Sequence, residues 1–272
     1  MHHQDDLIFD IGANNGDDTA YYLREGFRVV AVEANPVLAA DIERRFSADT
    51  SSGRLTVLNV GIAGRAETVP FWVNDEQSVW SSFDRELSGR EGSRCHSVAV
   101  RCLPLGTLLE EHGIPHYVKI DIEGYDSVCL GSLTFQTRPP YISCEVTHGD
   151  GLIDRLHALG YRRFKLVNQG TFTEASPVFD NELAFRGLRK LCVRVPVVKK
   201  LIPDGIRTDF DTFVCDAGYS FPHGSSGPFA EKTWGDWRRK DDVLKRYDDI
   251  RRRYLRARVP LEHCWYDVHA RD

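Results

Sequence analysis

Short apolar runs alternate with amphipathic stretches along the first 168 residues, and the runs have the length of buried strands. Glycine, proline and polar clusters separate these runs from stretches with helical spacing. The alternation favours a mostly parallel sheet with helices on both faces. The predicted strands of this sheet are residues 7–9, 27–33, 54–60, 116–122, 141–146 and 161–167.

The rest of the sequence pattern predicts two added strands, a helix pair, a loop and a long helix. Residues 67–74 and 97–103 alternate apolar and polar side chains, which is typical of added antiparallel strands. An apolar and basic stretch at 182–201 predicts a helix pair broken at Pro196. Residues 218–228, rich in Gly, Ser and Pro, predict a loop. The interleaved charges of 231–258 predict a long solvated helix that packs on the domain, with binding of a substrate or of a membrane surface as the alternative.

A strand, a glycine turn and a helix are predicted within FDIGANNGDDTAYYL, residues 9–23. Glycines let the backbone take positive φ and approach a ligand, and the helix start offers free N–H groups. The spacing is D-x-G-x-x-x-G, which differs from the G-x-G-x-x-G of dinucleotide sites. Glu33 ends the next strand, roughly 20 residues after the turn, where an acid can accept hydrogen bonds from a ribose. The pattern therefore indicates a nucleoside ligand.

Four blocks resemble the FkbM family of methyltransferases in their order and spacing: FDIGANNGDDTAYYL, VVAVEANP, VLNVGIAG and YVKIDIEGYDSVCLGSL. The resemblance covers about residues 5–168, and K-x-D-x-E-G in the last block is its most specific motif. It implies a doubly wound, Rossmann-like α/β sheet in three layers, mostly parallel with an antiparallel last strand. It also implies S-adenosylmethionine as the methyl donor. Residues 212–216, TFVCD, are our candidate for the antiparallel strand.

The resemblance also implies where the cofactor is bound. Asp10 would fix the glycine turn and face the ammonium end of the ligand, and Glu33 would take the ribose hydroxyls. Ala34, Gly61 and Ile62 would line the adenine. The implied cofactor-binding set is Asp10, Gly12, Ala13, Asn14, Gly16, Thr19, Glu33, Ala34, Asn59, Gly61, Ile62, Ser82 and Asp121.

The candidate catalytic residues are Lys119, Asp121, Glu123, Glu145 and His148. The first three alternate along one predicted strand, so we expect them to point to one side. A buried ion pair that orders the sheet is the alternative for this group. His148 leaves the neighbouring strand at the same end, and its ordinary pKa suits a general base. The alternative is a loop histidine in solvent.

A divalent metal ion is a second route for the chemistry, ranked below a route without metal. Asp121, Glu145 and Asp150 offer only oxygen ligands, which suit Mg²⁺ or Ca²⁺. Such an ion would lower the pKa of the acceptor hydroxyl. We therefore expect no metal, and keep this oxygen-ligand site as the alternative.

Composition narrows the class of protein. The net charge of −5 argues against a nucleic-acid partner, and no apolar run reaches the roughly 18 residues of a spanning helix. The seven cysteines form no C-x-x-C pair, which favours reduced thiols in a cytoplasmic protein.

We expect one domain over residues 1–272, with a core at 5–168 and about 208–218, a helical insert at about 180–205, and a C-terminal loop and helix at 218–272. A homodimer is kept open.

The expected activity is O-methylation of a hydroxyl on a sugar, glycan, polyketide or other secondary metabolite, as the resemblance implies. The acceptor would be a small molecule or a carbohydrate. One rival is a NAD- or nucleotide-sugar-dependent enzyme, against which the missing G-x-G-x-x-G argues. The other is a binding protein that kept the sheet and lost catalysis, against which the presence of Asp10, Glu33 and Asp121 argues.

Overall fold

The apolar runs of the sequence form the strands of a central sheet in the computed structural model of the chain. The structure describes residues 1–146, 151–169, 172, 174, 212–216, 218–222, 224–256 and 265–272. Its strands are β1 (His3–Ile11), β2 (Arg28–Val32), β3 (Leu55–Leu58), β4 (Gly61–Ile62), β5 (Glu67–Asn74), β6 (Cys95–Leu103), β7 (Ile114–Ile120), β8 (Tyr141–Glu145), β9 (Arg163–Asn168), β10 (Thr212–Asp216), β11 (Tyr219–Pro222) and β12 (Tyr266–Arg271).

Most helices follow strands, as crossover connections between parallel strands require. They are α1 (Asp17–Arg24), α2 (Pro36–Arg45), α3 (Ser47–Ser51), α4 (Arg85–Ser88), α5 (Leu105–His112), α6 (Asp126–Leu130), α7 (Leu152–Ala158) and α8 (Lys240–Arg256). The last begins at Lys240, so the predicted helix start at residue 231 was wrong. The helix pair predicted at 182–201 lies outside the described residues. In the part of the chain that is described, no helix is both long and apolar enough to cross a membrane.

The central sheet has the order β3-β2-β1-β7-β8-β12-β9. All of its strands are parallel except β12, which runs antiparallel to both β8 and β9. This arrangement confirms the predicted Rossmann-like sheet with an antiparallel last strand. The smaller sheet has the order β4-β6-β5, and its β5–β6 pair confirms the two predicted added strands.

The predicted identity of the antiparallel strand was wrong. Residues 212–216 form β10, which pairs with β11 in a two-stranded hairpin turned at Gly218. The antiparallel strand of the central sheet is β12, and its Tyr266, Val268 and Ala270 lie in the core. Its sequence, YDVHAR, alternates apolar and polar residues as a strand does, but the run is only six residues long and was not predicted.

Different elements cover the two faces of the sheet. On one face, helices α5 to α8 pack against apolar side chains of β1, β7, β8, β9 and β12. On the other face, Tyr21, Tyr22 and Ile42 from α1 and α2 pack against β1 and β2. The second face is completed by Phe221, Phe229 and Ala230 from the C-terminal part of the chain.

The C-terminal segment, defined here as residues 219–238, crosses this second face. Phe229 stacks on Tyr117 of β7 with ring centroids 5.0 Å apart. Further along, the Lys165 side chain of β9 donates to the Thr233 carbonyl oxygen at 2.7 Å, and Arg238 forms a bridge with Phe164. Among the described residues, this segment therefore supplies the packing over β7, β8 and β9 on the second face.

Candidate functional site

The glycine turn between β1 and α1 has a backbone that requires glycine. Gly12 has φ of 84°, and a Cβ there would lie 1.9 Å from the carbonyl oxygen of Asp121. The N–H groups of Gly12 and Ala13 donate to the Val32 carbonyl oxygen at 2.9 and 3.0 Å. Gly16 has φ of 79°, and a Cβ there would lie 2.9 Å from the Phe46 ring. The turn is therefore fixed between the carboxyl ends of β2 and β7.

Glu33 follows β2 and ties the turn to the start of α2. One carboxylate oxygen accepts the Asn14 backbone N–H at 2.7 Å, and the other accepts the Asn35 N–H at 2.7 Å. Burial raises the pKa of Glu33 to about 7, although these two hydrogen bonds oppose the rise. The Asn59 side chain donates to the carbonyl oxygens of Glu33 and Ala34 at 2.9 and 3.1 Å. The strand end expected to receive a ribose is thus rigidly held.

A buried ionic group lies beneath the turn. Lys119 Nζ is 3.3 Å from Asp10, 3.1 Å from Asp18 and 3.6 Å from Asp121, and it donates to the Gly12 carbonyl oxygen at 3.1 Å. Burial alone would lower the pKa of Lys119, but the three carboxylates raise it well above its ordinary value. Lys119 is 3% exposed, so its ammonium group is enclosed among these carboxylates rather than facing an open pocket.

Asp10 and Asp18 connect this group to helix α1 and to the C-terminal segment. Asp10 is fully buried and accepts the Thr19 hydroxyl at 2.6 Å. Asp18 accepts the Ser226 backbone N–H at 2.9 and 3.1 Å on its two oxygens. Burial raises the pKa of Asp18 to about 6, with Lys119 opposing the rise. The role of Asp18 was not predicted, because its partner lies more than 200 residues away in the sequence.

Three carboxylates lie together where β7 and β8 end, namely Asp121, Glu123 and Glu145, with oxygens within 4.8 Å of one another. The prediction that Lys119, Asp121 and Glu123 share one strand was wrong, because β7 ends at Ile120. Glu123 instead lies in a turn with φ of 47°. Each of the three is partly exposed, so this group is the open part of the site. His148 and Asp150 lie outside the described residues.

Glu123 is held from outside its own turn. Its side chain accepts a hydrogen bond from Arg90 at 3.0 Å, and its carbonyl oxygen accepts the Ser82 hydroxyl at 3.0 Å. Burial raises the pKa of Glu123 to about 7, Arg90 opposes the rise, and Asp121 adds to it. Arg90 was not singled out from the sequence, since its one signal is a position in the polar loop between β5 and β6.

The predicted adenine-lining residues lie at the edge of the small sheet. A Cβ on Gly61 would lie 2.3 Å from the ring of Phe83, so only glycine allows this packing. Beside it runs an open groove that includes Phe83 and Tyr125, neither of which was predicted. The groove is lined by Ile62, Ala63, Glu67, Val69, Pro70, Trp72, Phe83, Cys102 and Tyr125.

The structure brings most of the predicted cofactor residues to one end of the sheet, around the turn and the ends of β2, β4 and β7. This end, with its glycine turn, acidic strand end and single antiparallel strand, defines a Rossmann-like methyltransferase. The chain is matched over residues 10–163, more than half of its 272 residues, by the methyltransferase FkbM domain model. The chain therefore belongs to the FkbM methyltransferase family, whose members use S-adenosylmethionine.

Solved structures similar to this chain include methyltransferase FkbM from Methylobacillus flagellatus KT, with 17% identity and a TM-score of 0.44. That alignment covers 62% of this chain and 41% of the other, so the chain spans about two fifths of that relative. Precorrin-6y C5,15-methyltransferase from Geobacter metallireducens GS-15 has 16% identity and a TM-score of 0.35, covering 62% and 69% of the two chains. No curated protein matches the sequence significantly.

Proposed function

We propose that the chain transfers a methyl group from S-adenosylmethionine to a hydroxyl oxygen of a sugar, glycan, polyketide or other secondary metabolite. The observation that carries the proposal is the partly exposed trio Asp121, Glu123 and Glu145 beside the glycine turn. Ligands of such sheets bind at the carboxyl ends of the strands. A carboxylate at that end can accept the proton that a hydroxyl loses on methylation.

The residues around the turn fit the cofactor. Each Glu33 oxygen accepts one backbone N–H, so a second lone pair on each remains for a ribose hydroxyl. Gly12 lets the turn approach the Asp121 carbonyl oxygen closely, because a Cβ there would lie 1.9 Å from it. Ala34, Gly61 and Ile62 would contact the adenine, and the turn with Thr19, Asn59 and Ser82 would support these contacts from behind.

Positioning accounts for most of the rate in this type of reaction. When bound, S-adenosylmethionine supplies a methyl carbon that its sulfonium has already activated. The site has to hold the acceptor oxygen in line with the breaking carbon–sulfur bond. As the oxygen–carbon bond forms, Glu123 or Glu145 takes the hydroxyl proton. Glu123 is our choice among the described residues, because Arg90 holds one of its oxygens at 3.0 Å and its side chain is partly exposed beside the turn.

The sequence analysis named His148 as the candidate general base, and substitution of this residue tests that role. If it is the base, His148→Ala should lower kcat by about 10²- to 10⁴-fold with unchanged affinity for S-adenosylhomocysteine. Normal turnover of this variant would leave the role to Glu123 and Glu145.

A divalent ion held by Asp121, Glu123 and Glu145 is the second candidate for lowering the pKa of the acceptor hydroxyl. The mutual distance of these oxygens favours it. Treatment with EDTA followed by addition of Mg²⁺ separates the two routes, because only the metal route loses and regains activity.

The cofactor assignment is tested by calorimetry with S-adenosylhomocysteine and with NAD. We expect binding of the first and no comparable binding of the second. Glu33→Ala should weaken the binding by about 1 to 3 kcal/mol, since a charged hydrogen bond is lost. Glu43→Ala, which removes an exposed acid from helix α2, is the matched control. Equal affinities in the two variants would remove the ribose assignment.

The acceptor class is tested with S-adenosylmethionine labelled in its methyl group and a panel of hydroxylated sugars and polyketides. Transfer should give an O-methyl product, recognised by its carbon chemical shift. If S-adenosylhomocysteine binds but no member of the panel is methylated, the rival hypothesis of a binding protein that has lost catalysis would be favoured.

We also propose that the protein acts in the cytoplasm, and a homodimer is kept open. The free thiols of Cys95, Cys102, Cys129 and Cys144 support a reducing location. Sedimentation of the full chain at several concentrations tests the dimer, and a single monomeric species would overturn it.

A further inference from the structure

The acceptor-side segment, defined here as residues 78–93, lies against the turn that carries Glu123. The Ser82 hydroxyl donates to the Glu123 carbonyl oxygen at 3.0 Å. A Cβ on Gly124 would lie 3.1 Å from the Leu87 side chain, and the ring of Phe83 packs on Tyr125 with centroids 5.3 Å apart. Backbone, apolar and aromatic contacts therefore all fix this segment to the turn.

Arg90 makes the contact with the Glu123 carboxylate itself. Its Nη1 donates to Glu123 Oε2 at 3.0 Å and to the Leu87 carbonyl oxygen at 3.3 Å. Its guanidinium lies over the ring of Trp80, 4.7 Å from the centroid. These contacts hold the guanidinium in one place, so the position of Oε2 is set by the acceptor-side segment.

Glu123 differs from Asp121 in how it is held. Asp121 lies 3.6 Å from Lys119, a cation of the sheet interior, whereas Glu123 depends on Arg90. Glu123 also has a left-handed backbone with φ of 47°, which is costly for a residue with a Cβ and occurs where surrounding contacts enforce it. Within the described ranges, no hydrogen bond to its second oxygen, Oε1, is found.

We propose that Arg90 is a positioning residue for methyl transfer, holding Glu123 Oε2 so that Oε1 faces the acceptor. This inference rests on the proposed function, with Glu123 as the base. In the step, the hydroxyl oxygen bonds to the methyl carbon and the carbon–sulfur bond breaks, leaving a thioether. The hydroxyl proton goes to Glu123 Oε1. Arg90 touches neither substrate and acts through the orientation of the carboxylate.

The test compares Arg90→Gln and Arg90→Lys with the control Arg85→Gln. Arg85 is exposed and lies over the ring of Trp72 at 5.0 Å, so the control removes an arginine–tryptophan contact without touching a carboxylate. With a panel acceptor at saturation, Arg90→Gln should lower kcat by about 10- to 100-fold, the effect of a misplaced reacting group. The KM for S-adenosylmethionine should stay within about twofold, and Arg90→Lys should recover part of the rate because it keeps the charge.

A double-mutant cycle separates positioning from general support of the fold. In the Glu123→Gln background, Arg90→Gln should cause no further loss, because the two residues act as one unit. A further loss of the same size would overturn the proposal, as would an equal loss in Arg85→Gln. Unchanged turnover in Glu123→Gln would remove Glu123 as the base, and Arg90 with it, while methyl transfer itself would stand.

A spectroscopic experiment decides the proposal even if no panel member is methylated. In protein labelled with ¹³C at the glutamate carboxyl, the Glu123 signal is the one missing from Glu123→Gln. The carbon chemical shift of that signal should change in Arg90→Gln and should be unchanged in Arg85→Gln. A signal unmoved in Arg90→Gln would overturn the proposal regardless of the acceptor.

Discussion

The first 35 residues and residues 219–272 contribute to the same sheet in opposite ways. The first region forms β1, α1 and β2 in sequence order, and its turn is closed by hydrogen bonds within the region, from Gly12 and Ala13 to Val32. The second region completes layers begun far away in the sequence. Its Phe229 covers Tyr117, and its β12 enters the sheet between β8 and β9.

The difference shows that a local pattern can indicate a strand without indicating which strands it joins. Val268 and Ala270 of β12 are fully buried, and the strand hydrogen-bonds to both neighbours. His269 of the same strand is buried as well, and burial lowers its pKa to about 3, so it remains neutral inside the sheet. A short strand from the far end of the sequence therefore joins β8 to β9 in the second half of the sheet.

The largest effect is expected from a charge placed in β12. Val268→Asp would bury an unpaired carboxylate between two strands and should cost about 4 kcal/mol or more in the free energy of unfolding. Leu255→Asp is the matched control, because Leu255 is 62% exposed near the end of helix α8. Denaturant unfolding measures both. Equal stabilities would show that β12 contributes no more than an exposed helix end.

A smaller effect, confined to the first region, is expected from Gly12→Ala. The new Cβ would meet the Asp121 carbonyl oxygen, and φ of 84° would be strained, which together should cost about 3 kcal/mol and weaken binding of S-adenosylhomocysteine at least tenfold. Gly53→Ala shares a positive φ of 76° and has open space around it. This control should cost about 1 kcal/mol and leave binding unchanged. If Gly53→Ala weakened binding as much as Gly12→Ala, the loss would not be specific to the glycine turn, and the turn would not be part of the cofactor site.

The smallest effect is the pH dependence of the first region. Burial raises the pKa of Glu33 from 4.5 to about 7, so the folded chain binds this proton more tightly than the unfolded chain. The free energy of unfolding of the cofactor-free protein should therefore rise by about 1 to 3 kcal/mol as pH falls from about 7 to about 4.5. It should fall by the same amount as pH rises again. Glu33→Gln should flatten this part of the curve, and Glu43→Gln should leave it unchanged.

Cofactor binding should show the opposite pH trend. A protonated Glu33 is a poorer acceptor for ribose hydroxyls, so affinity for S-adenosylhomocysteine should fall as pH drops below about 7. Calorimetry at several pH values checks the trend. The same decline in Glu33→Gln would assign it to another group.

The order of strands and helices up to residue 168, the glycine turn and the acid at the end of β2 were all determined by the sequence itself. These features depend on local causes, namely hydrophobic period, positive φ at glycine and the punctuation between elements. The four blocks also identified the family, which the match over residues 10–163 confirms.

Only the tertiary structure decided which late segment enters the sheet, and which residues hold the carboxylates of the site. The sequence of β12 alternates apolar and polar residues, but its place between β8 and β9 depends on pairing with both strands. Asp18 meets Ser226, and Glu123 meets Arg90, through contacts between residues distant in the sequence. No local pattern records such contacts, because burial and charge pairing depend on what the completed fold brings alongside each side chain.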